Sequence, residues 1–178
     1  MKQALSRVLI LLLLLTLLIS AASCSKSNIE VPDGMLLCSD ESLEYCFFVP
    51  AGWLINDMSG TTSAYRNENG STVASVTVTT HAPSESMTVE GYWALCEESY
   101  KSEFKNYAFV SGDPSTVAEL NAMTYVYTAE FSGVKYKFNQ TIFIERSRFY
   151  IITYTATEES YDAYLDHLAQ MKSEIYFR

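Results

Sequence analysis

The chain has 178 residues, enough for one domain with its own hydrophobic core. Its 21 acidic and 12 basic side chains give a formal charge of −9. This acidic balance repels nucleic acid and anionic lipid headgroups, so we expect no nucleic-acid partner and no direct binding to anionic headgroups.

The first two dozen residues have the order of a secretory signal. Lys2 and Arg7 precede an apolar run over residues 8–19, and four small residues then lead to Cys24. As a helix the run would span about 18 Å, which is short against a hydrocarbon core of about 30 Å. An uncleaved N-terminal anchor helix is the alternative interpretation.

The small residues directly before Cys24 resemble a bacterial lipobox. The resemblance implies that residues 1–23 are removed and that the Cys24 thiol carries a diacylglycerol. Two acyl chains would then hold the protein at the extracytoplasmic face of the cell membrane. The competing interpretation is ordinary cleavage after Ala22, which leaves Cys24 as an unmodified thiol. Because residues 1–23 hold two basic and no acidic side chains, residues 24–178 carry a formal charge of −11.

Two segments follow the predicted signal. Residues 24–34 have little apolar content and include Pro32 and Gly34, so they are predicted to form a flexible tether. Residues 35–178 contain no repeats or further linkers and are predicted to form a single domain.

Three more cysteines follow Cys24. An odd number outside the cell indicates one bridge and one spare thiol. Cys38 and Cys46 flank a polar turn and would face each other in a hairpin, so they are the candidate disulfide. The alternative is that both thiols are reduced and buried among apolar groups.

Strand patterns dominate the domain. Apolar and polar residues alternate over residues 74–79, after an Asn69-Gly70 turn signal. A second pair of alternating segments, 123–131 and 134–145, is joined at Ser132-Gly133. Residues 149–154 are apolar on both faces, which predicts a central strand of an antiparallel meander.

Two amphipathic helices are also predicted. One covers about residues 89–105, is capped by Thr88 and places Cys96 on its buried stripe. The other covers about residues 158–175 with Thr157 as its cap. Strands, a helix, more strands and a closing helix predict an α+β fold.

The order of these features resembles the PsbP-like family. The run FFVPAGW over residues 47–53 resembles the family's opening strand, and YTAT at 154–157, followed by Tyr161, Asp162 and Tyr164, resembles its last strand and closing helix. The likeness covers about residues 36–178. It implies an antiparallel β-sheet with helices packed on both faces and a non-catalytic role. Independently of the family, Trp53 is expected to fill the core, with its indole bonded to a carbonyl.

Motifs for catalysis are missing from the sequence. The two histidines, His81 and His167, belong to no zinc or hydrolase motif, and no metal or cofactor is expected. A thiol catalyst would need Cys96 close to one of them. Acidic pairs at Glu97-Glu98, Glu158-Glu159 and Asp162/Asp166 keep a paired-carboxylate mechanism open, although each also suits a solvated helix face or a helix start.

Tyrosine is abundant, at 13 copies, and many tyrosines occupy alternating strand positions. Such positions suit a half-buried pleated surface, but Tyr125, Tyr127 and Tyr136 are also candidates for a recognition surface. The sequence thus predicts a lipid-anchored, extracytoplasmic, non-catalytic domain that binds an unidentified protein or ligand or assists an assembly. The alternatives are a surface hydrolase acting on polysaccharide or peptide, and a solute-binding accessory of a transporter.

Overall fold

The computed structural model describes residues 29–178 except positions 57, 59, 84 and 85. The predicted signal peptide (residues 1–23), Cys24 and the first part of the tether lie outside the described residues. Val31–Arg178 forms one compact unit, in which the amide of Ala51 donates to the carbonyl of Gly34 at 2.8 Å. None of the helices in the described part of the chain has the length and apolar character needed to cross a membrane.

The unit contains eleven strands, one 3-10 turn and two α-helices among its described residues. The helices are α1 (Val89–Glu103) and α2 (Leu165–Glu174), and the 3-10 turn (Asp162–Tyr164) leads into α2. The strands are β1 (Met35–Leu37), β2 (Tyr45–Cys46), β3 (Phe48–Pro50), β4 (Leu54–Ile55), β5 (Thr62–Glu68), β6 (Ser71–His81), β7 (Lys105–Val117), β8 (Leu120–Phe131), β9 (Val134–Glu145), β10 (Arg148–Thr157) and β11 (Tyr176–Phe177).

A seven-stranded sheet organises the domain. Its order is β4-β5-β6-β10-β9-β8-β7, and every neighbouring pair is antiparallel. Two small antiparallel pairs, β1 with β3 and β2 with β11, accompany it. The predicted α+β class with an antiparallel sheet is therefore confirmed.

The tight turns form where the sequence predicts them. Asn69 and Gly70 have φ angles of 50° and 79°, and Ser132 and Gly133 have 52° and 82°. Two consecutive positive φ angles match the twist of a two-residue hairpin, and glycine adopts them without steric cost. These turns join β5 to β6 and β8 to β9.

Strand β10 lies at the centre of the sheet, between β6 and β9. Its residues Phe149 to Ile152 are all buried, although their side chains alternate between the two faces. The predicted central strand is confirmed, because only a strand covered on both faces buries consecutive apolar side chains.

The two helix predictions had different outcomes. Helix α1 begins as predicted, with the Thr88 hydroxyl accepting from the Gly91 amide at 3.1 Å. The prediction that Thr157 caps a helix from residue 158 was wrong. Thr157 ends β10, paired with Tyr136, and the helical turns begin only at Asp162. Pairing with β9 extends the strand through the expected cap.

Candidate functional site

Aromatic side chains form a continuous layer between α1 and strands β8, β9 and β10. Trp93 of α1 stacks on Tyr125 with ring centroids 4.2 Å apart and planes 3° from parallel. Tyr127 stacks on Phe138 at 4.7 Å. The layer, called the aromatic layer below, comprises Trp93, Tyr100, Phe104, Tyr125, Tyr127, Phe138 and Phe149. Offset stacking and burial of these large rings make it a major source of stability.

Two of the three predicted recognition residues, Tyr125 and Tyr127, lie inside this layer. Tyr125 and Tyr127 are only 5% and 2% exposed, because α1 covers them. Burial also raises the pKa of both phenols. They are core residues, and the expectation of a recognition surface is corrected for these two. Tyr136 is half-buried, with its ring 6.0 Å from that of Phe131.

Among the described residues, tyrosine hydroxyl groups and not histidines are the hydrogen-bond partners of the Cys96 thiol. Cys96 packs against the aromatic layer, and burial raises the pKa of its thiol, which disfavours the reactive thiolate. His81 lies beside the ring of Tyr92, at 5.8 Å between centroids. His167 instead contacts Trp53 and Tyr164.

The other two cysteines have separate surroundings. Cys38 and Cys46 are both buried free thiols in the structure. A backbone group of Ser63 hydrogen-bonds the Cys38 thiol, whose pKa burial raises to about 12. The Cys46 sulfur accepts from Nε of Arg178 at 3.0 Å. The proposed bridge is therefore not part of the described fold. Titration of the unfolded, non-reduced chain would find one free thiol with the bridge and three without it, provided that Cys24 is acylated.

Trp53 fills the core as expected, but its polar partner differs. The indole Nε1 donates to Nδ1 of His167 at 3.0 Å, whereas the sequence predicted a backbone carbonyl. Because Nδ1 accepts, the proton of a neutral His167 ring lies on Nε2. Tyr164 packs edge-on against Trp53, and its hydroxyl donates to Glu68. This cluster ties α2 to the segment after β3.

Two of the acidic pairs have structural roles. Glu97 forms an ion pair with Lys101 at 3.0 Å and accepts from the Tyr107 hydroxyl at 3.1 Å. Glu158 pairs with Lys135 at 2.8 Å. Among the residues that the structure describes, no group of three His, Cys, Asp or Glu side chains is placed to hold a metal ion.

Carboxylates are also sparse in the cavities. Three cavities bounded by described residues, of about 380, 400 and 600 Å³, have one carboxylate among their linings, that of Glu119. A paired-carboxylate hydrolysis would need two carboxylates facing one substrate.

An apolar pair is exposed at one edge of the sheet. Strand β7 pairs only with β8 among the described strands, so its outer edge is unpaired. On it, Phe109 is 49% and Val110 54% exposed. Val110 is the extra residue of a bulge, because Phe109 pairs with Tyr127 and Ser111 with Val126. Phe109, Val110 and the free edge of β7 are called the edge surface below.

A row of hydroxyl groups crosses β7, β8 and β9 beside α2. Thr124 lies at its centre, 2.8 Å from the Ser115 hydroxyl and 2.9 Å from the Thr141 hydroxyl. Thr141 in turn donates to Oδ1 of Asn139 at 3.3 Å. The ammonium of Lys172 on α2 donates to Thr124 at 3.5 Å. Ser115, Thr124 and Thr141 are called the hydroxyl row below.

Neither the edge surface nor the hydroxyl row was identified from the sequence. Strand β7 contains Gly112 and Pro114, which are signals of a turn, so the segment was not predicted as a strand. Without β7 there is no edge for Phe109 and no Ser115 hydroxyl beside Thr124. The alternation of Ser111, Asp113 and Ser115 indicates a strand, but Gly112 and Pro114 interrupt it and the turn signals prevail.

No family model and no curated protein matches the chain. Solved structures do match. A protein of unknown function from Pseudomonas aeruginosa has a TM-score of 0.60 at 16% identity, over 81% of this chain and 97% of its own. Cyanobacterial PsbP (CyanoP) from Synechocystis has a TM-score of 0.57 at 12% identity, over 89% of this chain and 99% of its own.

A eukaryotic protein shares the architecture too. The Ran-binding protein Mog1p from Saccharomyces cerevisiae has a TM-score of 0.53 at 11% identity, over 75% of this chain and 90% of its own. At these identities the likeness concerns the fold alone. The chain therefore has a PsbP-like fold, as the sequence resemblance predicted.

Proposed function

We propose that this chain is a non-catalytic binding or assembly-helper domain that acts outside the cytoplasm, and that its edge surface contacts a protein partner. The main support for this proposal is the exposure of Phe109 and Val110 on the outermost strand of the sheet. Large apolar side chains beside an unpaired strand edge are typical of places where another chain adds to a sheet or packs against it.

The fold supports a binding role. Mog1p, which has a similar fold, is described as a Ran-binding protein, and CyanoP is described as a cyanobacterial PsbP. The competing hydrolase is not proposed, because Glu119 is the only carboxylate lining the three cavities described above.

We also infer that the two helices cover opposite faces of the sheet. Supporting this, α1 contacts Tyr125 and Tyr127 of β8, whereas Lys172 of α2 reaches Thr124. Consecutive strand residues point to opposite faces, so Thr124 and Tyr125 face different ways.

The proposed location, at the extracytoplasmic face of the membrane, depends on the acylation of Cys24. We propose that the thiol is acylated and that the part of the predicted tether before Val31, where the compact unit begins, links the lipid to the domain. Replacing Cys24 with Ala should release the protein from membranes, because the acyl chains are then never attached. Membrane fractionation measures this, and mass spectrometry of the natural N-terminus provides a second readout. Unchanged fractionation of Cys24→Ala, or an N-terminus without acyl chains, would refute the anchor.

A photo-cross-linking amino acid at position 110 tests the partner surface. The matched control places the same group at Leu54, which is 46% exposed on β4 at the opposite edge of the sheet. Irradiation of intact cells should give a discrete adduct from position 110 that is missing from position 54. An adduct common to both positions, or none at position 110, contradicts the proposed surface.

Val110→Asp separates binding from folding. Since Val110 is half exposed, the free energy of unfolding should fall by no more than about 1 kcal/mol. A charge in the centre of an apolar contact should nevertheless reduce the yield of an adduct formed from a second cross-linker at position 108. Retention of that adduct at full yield would show that the partner does not contact Val110.

A further inference from the structure

A cavity of about 600 Å³ lies between α2 and the turn that joins β7 to β8. Ser115 and Thr116 line it from the strand, Glu119 from the turn, and Ala169 and Lys172 from the helix. Its volume falls within the range of small-molecule sites. The hydroxyl row borders it, because Ser115 belongs to both.

Lys172 is the chemical centre of this cavity. Its ammonium turns toward the sheet and donates to Thr124, whereas the ammonium of a surface lysine ordinarily extends into water. Among the described residues no carboxylate lies within 4.0 Å of it, unlike Lys101, Lys105 and Lys135. Burial also lowers its pKa. An ammonium has three N–H donors, and the structure gives this one a single acceptor.

The unused N–H donors of Lys172 suit an anion, and the charges around Lys172 indicate which kind of anion the cavity would bind. The cavity holds one cation and no arginine, and it lies at the C-terminal turn of α2, where the helix dipole is negative. Exposed Glu119 adds a further negative charge. These features disfavour a multiply charged phosphate. A carboxylate carries one charge and accepts charge-assisted hydrogen bonds from an ammonium and further bonds from hydroxyl groups.

We propose that this cavity binds a small monocarboxylate, with its oxygens accepting hydrogen bonds from the Lys172 ammonium and from the Ser115 hydroxyl, which exchanges its hydrogen bond to Thr124 for a charge-assisted one to the carboxylate. The site is separate from the edge surface and does not depend on it. The carboxylate belongs either to a free small acid or to the C-terminus of a peptide.

Chemical-shift titration of the full chain in detergent tests the site. Propionate should shift the Lys172 side-chain resonances and the amides of Ser115 and Ala118 saturably, with a dissociation constant in the millimolar range or below. Sodium chloride at the same ionic strength should not. Free Ala-Ala compared with Ala-Ala-amide distinguishes the sources: binding of the free dipeptide alone indicates a peptide C-terminus, and binding of propionate indicates a free acid.

Two variants and a control assign the binding to these side chains. Lys172→Met keeps the apolar stem and should weaken binding at least tenfold, and Ser115→Ala should weaken it severalfold. Lys101→Met removes an exposed lysine from α1 and should leave binding unchanged. If neither propionate nor Ala-Ala saturates, or if Ser115→Ala and Lys172→Met bind as the parent does, the proposal is wrong. Because Ser115→Ala is a small change, it remains informative should Lys172→Met fail to fold.

Discussion

Neighbouring residues of β8 lead into two different environments. Tyr125 enters the aromatic layer, where rings stack and water is excluded, whereas Thr124 enters the hydroxyl row, where directional hydrogen bonds reach an ammonium beside a cavity. Burial of apolar rings is strongly favourable, but a hydrogen bond contributes little net stability, because water offers a similar one. We therefore expect the aromatic layer to supply stability and the hydroxyl row to supply binding.

The largest expected effect is in the aromatic layer. Trp93→Ala removes the ring stacked on Tyr125 and should lower the free energy of unfolding by about 3–5 kcal/mol. Urea denaturation measures it. Leu95→Ala, two residues away and 57% exposed, is the matched control and should cost less than about 1 kcal/mol. Equal costs for the two variants would show that the layer is not a source of stability.

The next effect comes from overfilling the same layer. Gly112 lies under the Tyr125 ring, and a Cβ atom there would be 3.0 Å from Tyr125 Cδ1 and 3.3 Å from Phe109 Cζ. Gly112→Val should therefore destabilise by about 1–3 kcal/mol. Thermal and urea unfolding both report it. Gly91→Ala, whose Cβ would make ordinary contacts in the first turn of α1, should not destabilise. If Gly112→Val leaves the free energy of unfolding unchanged, the Tyr125 ring can move away at no cost and the layer is not tightly packed there.

Local signals predicted much of this fold. Asn69-Gly70 and Ser132-Gly133 specify hairpins through their own backbone preferences, and Thr88 specifies the start of α1 through one hydrogen bond. Alternation along β8 correctly grouped Tyr125 with Tyr127. It did not reveal that α1 covers that group, because periodicity shows which residues share a face and not what lies over it.

The sequence predictions fail where the pairing of strands overrides the local conformational preference of the residues. Thr157 has a good capping side chain, but its pairing with Tyr136 keeps it in β10. In β7, Pro114 lacks an N–H group and Gly112 lacks a side chain, so the segment has the composition of a turn. It forms a strand because β7 is an edge strand, where one side needs no donors. The edge surface and the hydroxyl row depend on β7 and were therefore out of reach.

A smaller effect is expected in the pH dependence of stability, through the buried phenol of Tyr127 in the aromatic layer. Burial raises the pKa of Tyr127 above its ordinary value, so the folded state keeps the phenol neutral while the unfolded chain ionises above about pH 10. This contribution to stability is complete below pH 10 and is lost as the pH rises further. Tyr127→Phe should make the fall of the unfolding free energy shallower by up to roughly 1.4 kcal/mol per pH unit. Identical slopes for both proteins between pH 10 and 11.5 would contradict burial of this phenol.

The smallest effect is expected in the hydroxyl row. Thr124→Val keeps the shape of the side chain but removes the group that Ser115, Thr141 and Lys172 share. Because Ser115 and Lys172 border a cavity, water can replace the lost partner, and the free energy of unfolding should fall by only about 0.5–1.5 kcal/mol. Thr80→Val, at an exposed position of β6, is the control in urea denaturation. A loss as large as that of Trp93→Ala would mean that the row supports the fold as strongly as the aromatic layer does. The contrast between the two environments would then be false, and Lys172 would be better understood as a structural residue than as a ligand-binding one.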